Sequence, residues 1–233
     1  LKKYLDYSKK IYELTSELFL FNSFKNFDTL FSIKALKTLV NINKIEPFRT
    51  VHNANSAFFS DKKNVQLFDR YATYNGSNPF LAPATLNIIP FVELGMGASI
   101  PEGGIYSIAK ILTETSLELG VKIFQNTEVE SILLKNKKAI GIRVNGVDEF
   151  YDFVVCNSDV NYSYSKLLKG FVCGEAKKYK KLTPSSSALV FYWGIKGYQS
   201  PLATHNILFS NNYETEFFDL FQKCIIPNDP TVY

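Results

Sequence analysis

The feature that most limits what this chain can fold into is a change of hydrophobic period near residue 100. Before it, apolar residues recur at helical spacing: Leu5, Ile11, Leu14, Leu18 and Phe21, then Ile33, Leu36, Leu39 and Val40. Thr50 to Phe59 and Asn64 to Tyr74 repeat the pattern. Asn75-Gly-Ser-Asn-Pro79 is a turn, and Pro90 must kink or divide any helix over 84–94. After Pro101-Glu-Gly-Gly104, Ile105 to Leu119 reads as an amphipathic helix stopped by Gly120. Short strands are then expected at 121–124, 129–134, 139–144 and 150–156. Helices follow at 163–169 and 175–180, strands at 187–195 and 206–209, and a helix at 214–224. A last strand is expected to open at Thr231.

This order predicts an α/β (α+β) chain, with a helical lobe over 1–100, a layered segment over 101–160 and a further sheet-and-helix segment over 161–233. The 233 residues are 46% hydrophobic, enough for a sizeable core. Core packing accounts for most of the 20 Phe and 14 Tyr, and lining an apolar ligand site is a second use for aromatics.

Charge and cysteine usage exclude several functions. The net charge of +4 is spread over scattered Lys pairs with acidic residues among them, and no nucleic-acid-binding signature is present. Cys156, Cys173 and Cys224 lie far apart without a CxxC pair, which argues for a reducing, cytoplasmic setting and against a disulfide framework or zinc site. Two histidines, His52 and His205, leave little material for a metal centre or a Ser-His-Asp triad. No apolar run is long enough to span a bilayer.

Four stretches carry chemistry. Phe68 to Phe80 runs an aromatic helix end into a Gly/Asn/Pro turn. Pro101-Glu-Gly-Gly104 removes side chains at a helix start, where free N–H groups can face an anion or a polar ring edge. Val121 to Ile132 reads as a strand, a polar corner and a second strand. Asp152 to Asp159 ends a buried strand in small polar residues, and ligands sit off such strand ends in open α/β sheets. Taken alone, each also fits an ordinary cap, turn or corner.

Together, in this order, the four resemble the FAD-dependent carotenoid desaturase family over nearly the whole chain. The wording of Arg70 to Pro79 is similar to its 1-hydroxycarotenoid 3,4-desaturase branch. The resemblance implies a partial FAD/NAD(P)-binding-type flavoprotein fold, with a helical substrate lobe and a mixed sheet. It places Val129, Gly103, Gly104, Asn157 and Asp159 around FAD, and Tyr71, Tyr74, Phe80 and Trp193 around the carotenoid. It implies hydride transfer from a polyene C–C bond to the flavin, an electron acceptor that the sequence does not name, and peripheral contact with a membrane. The aromatic run Leu18 to Phe21, with Phe24, Phe27, Leu30 and Phe31, is the candidate for that contact; core packing is the alternative. The chain departs from the family at the phosphate-binding turn. G-x-G-x-x-G is absent, and Gly95-Met-Gly97 lacks the preceding strand and third glycine. The chain is therefore expected to be an internal fragment that does not hold FAD alone. Another amine-oxidase-like flavoenzyme, or a non-catalytic lipid- or pigment-binding module, remain the alternatives.

Overall fold

The computed structural model describes residues 1–21, 40–168, 170–171, 173–182, 187–197, 201–203 and 205–233. They form two compact units, one of Leu1–Ser99 with Ser185–Tyr233, the other of Ile100–Pro184.

The first unit is built on helix α1 (Lys2–Phe19), α2 (Val51–Phe58) and α3 (Lys62–Asp69). The buried seam of α1 runs through Tyr4, Ser8, Ile11 and Thr15, a clean i, i+4, i+7, i+11 series. Of the residues whose spacing predicted this helix, Ile11 is buried and Leu5 packs against the Tyr4 cluster, and the seam also takes in polar residues that apolar spacing does not mark. Ser8 is one of these: its hydroxyl donates to the Asn87 carbonyl and accepts from the Phe91 N–H at 3.0 Å, anchoring α1 to the segment that follows the Pro83 turn. Tyr4 then packs among Phe58, Phe59, Phe68 and Tyr71. Thr50 caps α2 by accepting from the Asn53 N–H at 3.2 Å, and Asp61 caps α3 by accepting from the Lys63 N–H at 2.7 Å. A 3-10 turn, Arg70–Asn75, extends α3 and ends at Gly76 in the left-handed region. Pro90 does divide the next helical stretch, into Ala84–Asn87, Ile88–Pro90 and a π turn over Phe91–Met96.

The C-terminal part of this unit is tied on by polar contacts. Glu216, buried in α6 (Tyr213–Phe218), accepts from the Ser210 hydroxyl at 2.6 Å and from both the N–H and the hydroxyl of Thr231 at 2.7 Å. Leu208 and Val232 exchange both backbone hydrogen bonds. The strands expected at 206–209 and from Thr231 therefore reduce to this single bridge. The helix expected over 214–224 is present as α6 with its π-turn extension, Asp219–Lys223.

In the second unit, α4 (Tyr106–Glu118) precedes an antiparallel meander of β1 (Val129–Lys135), β2 (Lys138–Val144) and β3 (Val147–Phe150) in the order β1-β2-β3. Both hairpins close on two residues with positive φ, Asn136-Lys137 and Asn145-Gly146, the backbone that matches strand twist in a two-residue loop. Arg143 and Asp148 pair across β2 and β3 at 2.6 Å. A turn of helix over Val160–Tyr162 and α5 (Gly174–Lys180) complete the unit.

Three expectations need correction. The sheet is antiparallel, not mixed. Residues 121–124, 152–156 and 187–195 pair with no strand among the described residues, although their sequence is strand-like; of the strand expected over 150–156, Phe150 ends β3 and the Tyr151 N–H donates to the Ile140 carbonyl of β2 at 3.0 Å. Strand conformation depends on a neighbouring edge to bond with, and none is offered to them here. The apolar stripe of α4 is likewise uncovered: Ile108, Ile111, Leu112 and Leu119 are all exposed. In the aromatic run held as a membrane candidate, Phe24, Phe27, Leu30 and Phe31 lie outside the described residues; Leu20 and Phe21 are exposed. No helix of the described residues is long and apolar enough to cross a membrane.

Gly141 is fixed by crowding. A Cβ there would collide with the Glu149 carbonyl oxygen on β3. Gly141→Ala is expected to destabilise the meander by about 1–3 kcal/mol, the usual cost of overpacking, read as a lower urea midpoint in equilibrium unfolding.

Candidate functional site

The first unit contains a cavity of about 800 Å³, within the size range of ligand sites. Its apolar wall is Phe217, Leu220 and Phe221 from α6 and the turn after it. Its polar rim is Arg70, Tyr74 and Tyr213. The Asn75-Gly76 turn contributes backbone, because the left-handed Gly76 ends the 3-10 helix beside the opening.

Behind the rim, one carboxylate gathers three donors. Glu93, on the π turn, accepts from the Tyr71 hydroxyl at 2.9 Å and Arg70 Nη2 at 3.2 Å on one oxygen, and from the Tyr74 hydroxyl at 2.9 Å on the other. Arg70 Nη1 also donates to the Tyr74 oxygen at 3.2 Å, and the guanidinium lies 4.3 Å from the centre of the Tyr71 ring. Partial burial pushes Glu93 up, but the two tyrosine hydrogen bonds and the Arg70 charge outweigh it, and its carboxyl stays below the usual range. Burial and the hydrogen bond to Glu93 drive Tyr71 the other way, so it remains a protonated donor throughout the physiological range.

A second cavity, about 450 Å³, opens beside α2 and α3. His52, Ser56, Lys62, Gln66, Asp69 and Phe80 line it, with residues 211–214. Asp69 is 1% exposed. One of its oxygens meets His52 Nδ1 at 2.6 Å, and the other accepts from Asn55 Nδ2 at 2.8 Å. Burial raises the Asp69 carboxyl, and the hydrogen bonds from His52 and Asn55 oppose that rise.

The sequence-predicted residues fall in both units. Tyr74 lines the larger cavity, and Phe80 lines the smaller, 4.6 Å from the His52 ring. Tyr71 is buried and connects to the rim through Glu93. Trp193 is 77% exposed, with its ring 5.9 Å from Phe191. In the second unit, Gly103 and Gly104 have φ of +80° and +82° in the turn before α4, and no heavy atom comes within 4 Å of a Cβ built on Gly104. Val129 opens β1 opposite Val144. Asn157 is exposed, and Asp159 caps the turn over Val160–Tyr162 by accepting from the N–H groups of Asn161 and Tyr162 at 2.9 and 3.0 Å. The sequence reading missed Arg70 and Glu93 in the larger site, and His52, Ser56 and Asp69 in the smaller. Arg70 and Asp69 stand inside the motif already singled out. His52 and Glu93 carry no local signal, because only the fold brings them to it.

Glu93 sets an acid sensitivity. Its folded pKa lies below its unfolded one, so its contribution is full above the unfolded carboxylate pKa and is lost as pH falls through the folded value. Thermal unfolding is expected to show a steeper loss of stability below about pH 4.5 for the parent than for Glu93→Gln, which should be the less stable of the two at neutral pH.

No family model matches the chain. Individual relatives do. A 1-hydroxycarotenoid 3,4-desaturase from Flavobacterium sp. (strain P99-3) is 42% identical over all 233 residues, which cover 47% of its own length. A 4,4'-diapolycopene oxygenase from Methylomonas sp is 30% identical over the whole chain and 46% of its own length. A zeta-carotene-forming phytoene desaturase from Myxococcus xanthus is 31% identical over 90% of the chain and 40% of its own length. The chain thus spans about half the length of the relatives it matches. Matched from end to end by proteins of this kind, it belongs to the carotenoid desaturase family.

Proposed function

We propose that the protein containing this chain is an FAD-dependent carotenoid desaturase, an oxidoreductase acting on CH–CH bonds in carotenoid biosynthesis. The finer reading is 1-hydroxycarotenoid 3,4-desaturation. The observation that carries it is the 42% identity across every residue of the chain to a protein named for that reaction.

The first unit suits a substrate role. Its larger cavity presents aromatic and aliphatic walls that take apolar chain out of water, and a rim of tyrosines and Arg70 that can address a hydroxyl at a polyene terminus. Tyr74 is held in place by Glu93 and Arg70, so its ring does not need ordering when substrate arrives. A hydrocarbon offers almost nothing to hydrogen-bond, and shape and water exclusion must do most of the positioning.

The second unit fits FAD in part. The turn before α4 has open space where a side chain would stand at Gly104, while a Cβ on Gly103 would touch Ser107. β1 is an edge strand, and its backbone at Val129 is the position assigned to the adenosine. Asp159 spends one carboxylate oxygen, Oδ1, on its cap. The chemistry FAD supplies when bound is two-electron oxidation of a carbon–carbon single bond. Peripheral attachment to a membrane follows from where carotenoids dissolve.

The test is expression of the complete reading frame in two bacterial hosts, one accumulating phytoene and one a 1-hydroxylated carotenoid. Each new double bond lengthens the conjugated system, so desaturation appears as a red shift of the extracted pigment. A shift in the second host is expected. A shift only in the phytoene host would replace the branch assignment. Folded, flavin-loaded protein without a shift in either host would overturn the desaturase reading.

A further inference from the structure

The smaller cavity holds an arrangement that desaturation does not use. Asp69, His52 and Ser56 stand in line. The buried Asp69 carboxylate meets His52 Nδ1 at 2.6 Å, and His52 Nε2 lies 3.5 Å from the Ser56 hydroxyl. The histidine and serine share one face of α2, four residues apart, so the helix sets their spacing. The carboxylate comes from the end of α3, its second oxygen held at 2.8 Å by Asn55 Nδ2, one turn along α2. A carboxylate on Nδ1 selects the tautomer that carries its proton there, which leaves Nε2 as an acceptor facing Ser56. Phe80, 4.6 Å from the imidazole, restricts its rotation from the other side. The Ser56–His52 gap is longer than a working contact, as is common before substrate binds, and rotation about the serine Cα–Cβ bond alters it. Both groups are accessible: Ser56 is exposed, and the His52 side chain is 36% exposed.

We propose that Ser56, His52 and Asp69 form an acyl-transfer site that hydrolyses short-chain carboxylic esters, an activity separate from desaturation. The cavity of about 450 Å³ has polar walls that include Lys62 and Gln66, which suit a small ester and not a polyene. Ser56 Oγ attacks the ester carbonyl carbon as its proton passes to His52 Nε2. The carbonyl π electrons move to oxygen, where Lys62 is the cation on the cavity wall. Collapse breaks the bond to the alcohol oxygen, which takes the proton from His52. Water then repeats the sequence on the acyl-serine, releasing the carboxylic acid and restoring Ser56. Asp69 is a positioning residue: it fixes the imidazole and stabilises its protonated form.

The experiment is hydrolysis of p-nitrophenyl acetate by the purified protein, followed by p-nitrophenolate absorbance, with peptide mass spectrometry of the rapidly quenched enzyme. Ser56→Ala and His52→Gln are expected to lower the rate at least about a hundredfold. The acetyl group should be found on Ser56. Asp69→Asn should move the pH midpoint of the rate downward, because the imidazolium loses its carboxylate. Ser56 is exposed, so circular dichroism of Ser56→Ala should match the parent; His52→Gln removes an Asp69 partner and is read only on protein whose circular dichroism matches the parent. Hydrolysis that persists in Ser56→Ala, an acetyl group found on a lysine instead, or no hydrolysis above a free-imidazole control would overturn the proposal. An unmoved midpoint in Asp69→Asn would remove Asp69 from the relay. None of these readouts depends on flavin or carotenoid, so their failure leaves the desaturase reading standing, and the reverse also holds.

Discussion

The first unit depends on a carboxylate placed where water cannot reach it. Asp69 is the last residue of α3, and it bonds to two side chains of α2. A buried charge is costly unless it is both paired and hydrogen-bonded, and here each oxygen has its own partner. The requirement locks the two short helices in one relative orientation. Neither α2 nor α3, at eight residues each, would persist alone in water. Their packing sets the start of the 3-10 turn, and that turn carries Arg70, Tyr71 and Tyr74 toward Glu93. Asp69 thus lines the smaller cavity and precedes the turn that brings Arg70 and Tyr74 to the larger one. Removing its partners would leave an uncompensated charge in the core, which ties the polar site to the integrity of the helical scaffold.

Much of the helical part was legible because its signals are local. The Thr50 and Asp61 caps, the Gly76 stop and the Pro90 break all lie within a few residues of what they control. The first hairpin was legible for the same reason, through its two-residue Asn136-Lys137 loop; the second closes earlier than expected, at Asn145-Gly146, so that β3 lies ahead of the strand read over 150–156. The polar part of the inward face of α1 was not legible. Ser8 and Thr15 are polar by composition, yet they are buried because distant carbonyl and amide groups at Asn87 and Phe91 use Ser8, and Thr15 bonds back to the Ile11 carbonyl. Hydrophobic periodicity cannot register a hydroxyl that is recruited from 79 residues away.

The same limit governs the sites. Within the aromatic motif over 68–80, Tyr74 and Phe80 each line a cavity. The scarcity of histidine left little material for a Ser-His-Asp line, yet His52 stands between Asp69 and Ser56. Counting residue types answers how many sites are possible, and one histidine is enough for one. Spacing along the chain gave no warning, because Asp69 arrives from 17 residues away on a different helix. In the second unit the glycine pair was legible as a turn, while the strand read over 150–156 keeps a partner only at Phe150 and Tyr151; in the first unit the strand read over 187–195 finds none among the described residues.

That unsatisfied composition has a consequence for handling the protein. Residues 189–195, Leu-Val-Phe-Tyr-Trp-Gly-Ile, contain no charge and no proline, and Leu189, Tyr192 and Trp193 are largely open to solvent. High β propensity without gatekeeping charges is the signature of segments that self-associate into cross-β ladders. Such a segment in isolation is a seed for fibre growth. These seven residues line neither cavity, so a lysine among them would place a gatekeeping charge on the segment without touching either site.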